Sequence, residues 1–241
     1  MPSVDALEDI LSPGPVLVLA PHPDDEALGC GALLAACWAR GRSAHVACLT
    51  DGAASHPTSR EWPPGRLAAL RREELRTAIS HLGGAPDRDL TWLGHPDAGL
   101  HRMAGPGSDL ARDVARLVDR LGAGTLIAPS PLDPHCDHEA AARAAEVVHD
   151  RRPALRLLYY PIWSRWTAQG YPARPPGTWR RRFADPLHTL RKRAAIEAHA
   201  SQSGGVVGDD PDGFAMPDGF AAMFLEGPEL FDEVAGARPW A

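Results

Sequence analysis

Short apolar runs alternate with longer segments of helical period along the first two thirds of the chain. Val16–Ala20 (VLVLA) is apolar at every position, the pattern of a central parallel strand buried on both faces. Asp24–Arg40 reads as a helix, with acidic residues at the positive end of its dipole and Gly41 to close it. His45–Leu49 is a second strand, so the three segments make a βαβ unit. The alternation continues with a helix at Leu67–Leu82 stopped by Gly83-Gly84, and a strand at Leu90–Leu93. A helix at Asp109–Leu121 follows, then a strand at Leu126–Ala128, an Ala-rich helix at His138–His149 and a strand at Leu155–Tyr160. Strand and helix in turn predict a parallel α/β sheet covered on both sides.

Three stretches break the pattern. Ser55–Gly65, Ser164–Asp185 and Gly204–Gly219 are rich in Pro, Gly or Asp and read as irregular. The first two are expected to shape a pocket, because loops carry specificity on such scaffolds. Trp166, Tyr171 and Trp179 are candidates to stack on a ring, with ordinary packing the default, and Arg180–Arg182 reads as a solvated face. There is no internal repeat and no long linker, so 1–241 is read as one domain.

Composition narrows the partners. A net charge of −6 and a pI near 6.0 argue against nucleic acid or an anionic membrane surface, which call for excess Lys and Arg. No apolar run is long enough to insert in a membrane, and the acidic opening segment does not read as a secretory leader. Cys30, Cys37, Cys48 and Cys136 form no C-x-x-C pair, which fits reduced thiols in the cytoplasm. The expected partner is a small molecule; oligomeric state leaves no sequence signal.

In an open α/β sheet, ligands gather beyond the carboxyl ends of the strands. Two ionisable clusters fall there: Pro21–Glu26 (PHPDDE) after the first strand, and Asp133–Glu139 (DPHCDHE) after Leu126–Ala128. On its own, Asp24-Asp25-Glu26 is a solvated acidic first turn of a helix. His22 and the second cluster weigh against that, since so many carboxylates repel one another unless a cation neutralises them. Zinc takes His nitrogen together with Asp oxygen. A His at i and an Asp at i+3 can aim at one point, and a third ligand from the second cluster leaves a position for water. Of the adjacent Asp24 and Asp25, one can bind the ion while the other serves as general base. Spacing does not say which does which.

Pro21–Glu26 and His135–His138 resemble the two signature motifs, PHPDDE and HPDH, of the PIG-L/LmbE-like deacetylases. Thr50-Asp51-Gly52, Arg71–Leu75 with Leu82-Gly83, Gly94–Leu100 and Lys192–Gln202 are similar to further segments of that family, in order, between Val16 and Gln202. The resemblance implies a Rossmann-like three-layer sandwich with a mostly parallel central sheet. It implies His22, Asp25 and His138 as ligands of Zn2+, with Fe2+ or another divalent ion as alternatives. Asp24 would be the general base, His135 an imidazolium near the oxyanion, and Asp137 the group holding the His135 ring. Arg71 and Asp97 match positions that contact the sugar. The implied reaction removes an N-acetyl or other N-acyl group from a small amino-sugar conjugate with metal-activated water. Cys136 stands where the family usually has proline and reads as a backbone-shaping position, with a fourth ligand the minor alternative. Asp133 is a candidate for altering substrate choice.

Two other functions use the same residues. Two His and one carboxylate also make the facial triad of a non-heme iron oxygenase, although no Arg in the motifs is marked to hold a co-substrate acid. A catalytically silent metal-binding protein is the third reading, and Asp24 beside a full ligand set speaks against it. His95 and His199 lie in family-like segments and are candidates to reach the site. Gly29 and Gly31 suggest a dinucleotide fingerprint, but they lie inside the first helix and lack the third glycine.

Overall fold

The computed structural model describes residues 4–103 and 107–235. Residues 1–3, 104–106 and 236–241, part of the span read as one domain, lie outside the described residues. The strands are β1 (Val16–Ala20), β2 (Ala44–Thr50), β3 (Leu90–His95), β4 (Thr125–Pro129), β5 (Arg156–Tyr160), β6 (Thr178–Phe183) and β7 (Glu229–Val234). They form one sheet in the order β3-β2-β1-β4-β5-β7-β6. Neighbours from β3 to β5 are parallel, whereas β7 runs antiparallel to both β5 and β6.

The helices are α1 (Leu7–Ile10), α2 (Asp25–Ala39), α3 (Pro64–Leu82), α4 (Pro86–Asp89), α5 (Asp109–Leu121), α6 (Cys136–Asp150), α7 (Trp163–Thr167), α8 (Pro186–Ala198) and α9 (Phe220–Leu225). Alternate residues of β1 face two cores. Val16 and Val18 pack with Leu33 of α2, Ile79 of α3 and Ile196 of α8, while Leu17 and Leu19 pack with Val114 of α5 and Ala141 of α6. The result is the expected three-layer sandwich, with a mostly parallel sheet between helical layers. Among the described residues, no helix is long and apolar enough to cross a membrane.

Several boundaries move. α3 begins at Pro64, inside the stretch read as a loop, because proline at the first turn gives up an amide that has no helical partner. α6 begins at Cys136, two residues early, so its N-cap is His135. β6 lies within the stretch read as irregular. Its Arg180 pairs with Asp232 of β7 through two contacts, 2.8 and 2.7 Å, and Arg181 with Glu233 at 2.7 Å. The Arg run is therefore cross-strand pairing at the edge of the sheet rather than a free solvated face.

α2 is gripped midway. Lys192 Nζ of α8 donates to the Leu28 carbonyl and to Glu229 of β7, at 2.8 and 2.7 Å. The Glu229 oxygens accept from the Ala32 and Leu33 amides, at 2.7 and 2.9 Å. Gly29 lies against Tyr160, where a Cβ would come within 2.3 Å of the ring, and the Tyr160 hydroxyl donates to the Leu19 carbonyl. That glycine serves close packing, not phosphate binding. Together these contacts fix the helix whose first turn carries Asp24 and Asp25.

Candidate active site

The strand order reverses between β1 and β4, and the turns leaving these two strands meet at that switch point. The Pro21 carbonyl accepts from both the amide and the hydroxyl of Thr50, at 3.0 and 2.8 Å, which pins the first turn to β2. Asp24 then takes φ 144°, a left-handed backbone that costs a non-glycine residue about 1–3 kcal/mol. Its carbonyl accepts from Ala27 and Leu28, starting α2, but its carboxylate caps nothing and lines the cavity. Glu26 holds the strained peptide: Oε2 accepts from the Asp24 amide at 3.1 Å, and Oε1 lies 3.0 Å from His199 Nε2. Both Glu26 and His199 are fully buried. His199 thus stands behind the site, not in it.

In the second turn, Asp133 is buried and accepts from His138 Nδ1 at 2.9 Å, and it also accepts from the Ile162 and Ser164 amides and the Ser164 hydroxyl. It orients an imidazole and does not line the cavity, so a role in substrate choice gives way to positioning His138. With Nδ1 committed to Asp133, Nε2 is the His138 ring nitrogen left facing Asp25, and it has no hydrogen-bond partner. Changing Asp133 to Asn is expected to weaken metal affinity about 10–100-fold, measured by competition with a chelator; unchanged affinity would show that His138 needs no such support.

Asp137 also departs from expectation. Its carboxylate accepts from the Ala98 and Leu100 amides, at 2.8 and 2.9 Å, and one oxygen lies 3.4 Å from His22 Nε2. The group touching the His135 ring is the Asp137 amide, which donates to Nδ1 at 3.2 Å. His135 is not favoured as an imidazolium either: burial, with repulsion from His22 and His138, pushes its pKa down to about 4. Since Nδ1 accepts, the neutral ring carries its proton on Nε2 and is a donor there.

Asp25 Oδ2 lies between two imidazoles, 3.3 Å from His22 Nδ1 and 3.4 Å from His138 Nε2. Donors about 2.0–2.1 Å from a tetrahedral ion stand roughly 3.3 Å apart, and each of the two Asp25–imidazole separations matches that spacing. Ring nitrogens of His22, His135 and His138 also lie within 4.8 Å of one another, as do ligand atoms of His22, Asp97 and Asp137. Asp97 and Asp137 oxygens are 3.2 and 3.4 Å from His22 Nε2, a nitrogen without a hydrogen-bond partner. Burial opposes charge on Asp25, yet His138 and His22 outweigh it and hold the carboxyl well below the usual range. A buried cluster of carboxylates around unpartnered imidazole nitrogens could hold a cation.

The cavity above this cluster measures about 460 Å3. His22, Asp24, Asp97 and Arg71 line its polar side, and Trp163, Phe214 and Phe220 its apolar side. Arg71 is committed to protein: it donates to the Gly52 and Pro23 carbonyls, at 2.9 and 2.8 Å, and lies 3.4 Å from Asp24. Asp97 accepts from the Ala54 amide at 2.9 Å. His95 points away, 3.3 Å from Asp113. Ser55 and Pro57 of the first irregular region reach the cavity, with Ala54 just before it, as do Asp212, Phe214 and Met216 of the third. Ser164–Asp185 contributes no lining residue; Trp166 packs on Phe220, and Tyr171 and Trp179 are exposed.

Residues 17–149 match the family model described as PIG-L: GlcNAc-PI de-N-acetylase. The chain belongs to the PIG-L family. It is 33% identical over 159 residues to the 1D-myo-inositol 2-acetamido-2-deoxy-alpha-D-glucopyranoside deacetylase of Kineococcus radiotolerans, a match covering 65% of this chain and 41% of that protein. It is also 33% identical over 147 residues to the 2'-N-acetylparomamine deacetylase of Streptomyces fradiae, covering 55% and 51%. The chain thus matches about half the length of these PIG-L relatives. The N,N'-diacetylchitobiose deacetylase of Pyrococcus horikoshii shares the fold, with TM-score 0.71, 21% identity, and 96% and 88% of the two chains covered.

Proposed function

We propose that this PIG-L chain is a metal-dependent hydrolase that removes an N-acetyl or other N-acyl group from a small amino-sugar conjugate. The observation that carries the reading is Asp25 Oδ2 set between His22 and His138, at 3.3 and 3.4 Å, with the uncapped Asp24 carboxylate on the adjoining cavity. His22, Asp25 and His138 would hold a divalent ion, with Zn2+ the best match to two imidazoles and a carboxylate. When bound, such an ion supplies a water of near-neutral pKa and a Lewis acid for the acyl carbonyl.

The remaining work falls to side chains of this chain. Asp24 takes a proton from the attacking water. Burial, working against the charge of Arg71, pushes its pKa up to about 6, which suits a base near neutrality. His135 donates from Nε2 to the oxygen that gains charge, an interaction that grows as the tetrahedral species forms. Asp24 then passes its proton to the departing nitrogen, which cannot leave as an anion. Asp97 and the backbone clamped by Arg71 shape the polar side of the cavity. The amino-sugar class rests on the named activities of the two relatives above.

The test is to measure metal in the purified protein and free amine released from a panel of N-acetylglucosamine conjugates. Amine release is expected, and it should vanish with a chelator and in His22→Ala, which should also lose the metal of that inner centre. Undiminished release from metal-free protein would remove the reading. Oxygen- and oxoglutarate-dependent turnover without amine release would establish the iron oxygenase instead.

A further inference from the structure

Cys136 does not join the inner imidazoles. It is exposed at the first turn of α6, with Sγ 3.8 Å from Asp137 Oδ1. Across from it, His101 is exposed on the 3-10 turn Leu100–Met103, whose Leu100 amide is bound by the same Asp137 oxygen. One ligand atom from each of His101, Cys136 and Asp137 lies within 4.8 Å of the others. Asp137 itself is fully buried and held by two amides, so its carboxylate is a fixed point, whereas the other two side chains stand at the surface and can close on it.

We propose that His101, Cys136 and Asp137 form a second divalent-metal site, distinct from the inner centre and open to solvent. Thiolate, imidazole and carboxylate together suit a borderline ion such as zinc, with the fourth position left to water. On binding, the Cys136 thiol gives its proton to solvent and ligates as thiolate. The two oxygens of Asp137 face different positions. Oδ1 faces the thiol, and Oδ2 lies 3.4 Å from His22 Nε2, so one buried carboxylate links the outer site to the inner centre.

The probe is Co2+ added to the full chain, because a cobalt–thiolate bond gives a charge-transfer absorption that nitrogen and oxygen ligands do not. The band is expected in the native protein and in His22→Ala, where the inner centre is disabled, and should be absent in Cys136→Ser. His101→Ala should weaken cobalt binding at this band on the order of 10–100-fold. Cys30, Cys37 and Cys48 are buried and should contribute nothing. In parallel, Zn2+ should slow alkylation of Cys136 in the native chain, a readout that needs no variant to fold. No band at saturating cobalt, a band that persists in Cys136→Ser, or an alkylation rate indifferent to zinc would each overturn the site. Survival of the band in His22→Ala separates this result from the fate of the inner centre.

Discussion

Replacing Asp24 by asparagine is expected to lower kcat by about 10²–10⁴-fold while metal content and fold are retained. Asparagine keeps the shape of the side chain and the left-handed backbone, and it removes only the capacity to take a proton. The carboxylate caps no amide and lines the cavity, so few structural contacts depend on it. Its nearest cation, Arg71, keeps its bonds to the Gly52 and Pro23 carbonyls. The measurement is a single-turnover rate on an N-acetylglucosamine conjugate beside a metal assay of the same preparation. A variant with native kcat would show that another group takes the proton. One that loses its metal would show Asp24 to be a ligand.

Lys192→Met is expected to destabilise the fold by about 3–5 kcal/mol, because it leaves Glu229 charged and unpaired in the interior. Lys192 and Glu229 are each about 2% exposed, and Lys192 also satisfies the Leu28 carbonyl. Burial pulls the Lys192 pKa down even with Glu229 beside it, so the pair does not recover the desolvation of its own cation. The large cost therefore appears when one partner is removed. Changing both, Lys192→Met with Glu229→Gln, should be milder than the single Lys192 change. Chemical denaturation of the two variants measures this; equal losses would mean that the pair is not energetically coupled.

The parallel half of the fold could be read because its signals are local. β1 is apolar throughout, and α3 and α5 end on Gly83 and Gly122, both in left-handed conformation. β6 could not be read this way, since its Arg residues find partners about fifty positions later in β7. The site divides similarly. His22, Asp24 and Asp25 stand out as one ionisable turn and His135 and His138 as part of another, and the family resemblance then implied their separate roles. The supporting contact of Glu26 with His199 does not stand out, because it is made only in the tertiary fold, 173 positions apart, whereas Asp133 supports His138 from five positions away. The direction of the Asp137 carboxylate was equally hidden: the family resemblance implied a contact with the His135 ring, whereas the helical first turn aims the carboxylate at the Ala98 and Leu100 amides.

With Asp24 as the base proposed above, its φ of 144° would set heat resistance against turnover. Glycine would occupy that backbone without penalty, so selection that rewards only survival at high temperature would favour exchanging the carboxylate for hydrogen. The protein gained that way would be tougher and inert. Any programme to thermostabilise this chain should hold position 24 fixed and seek its gains elsewhere.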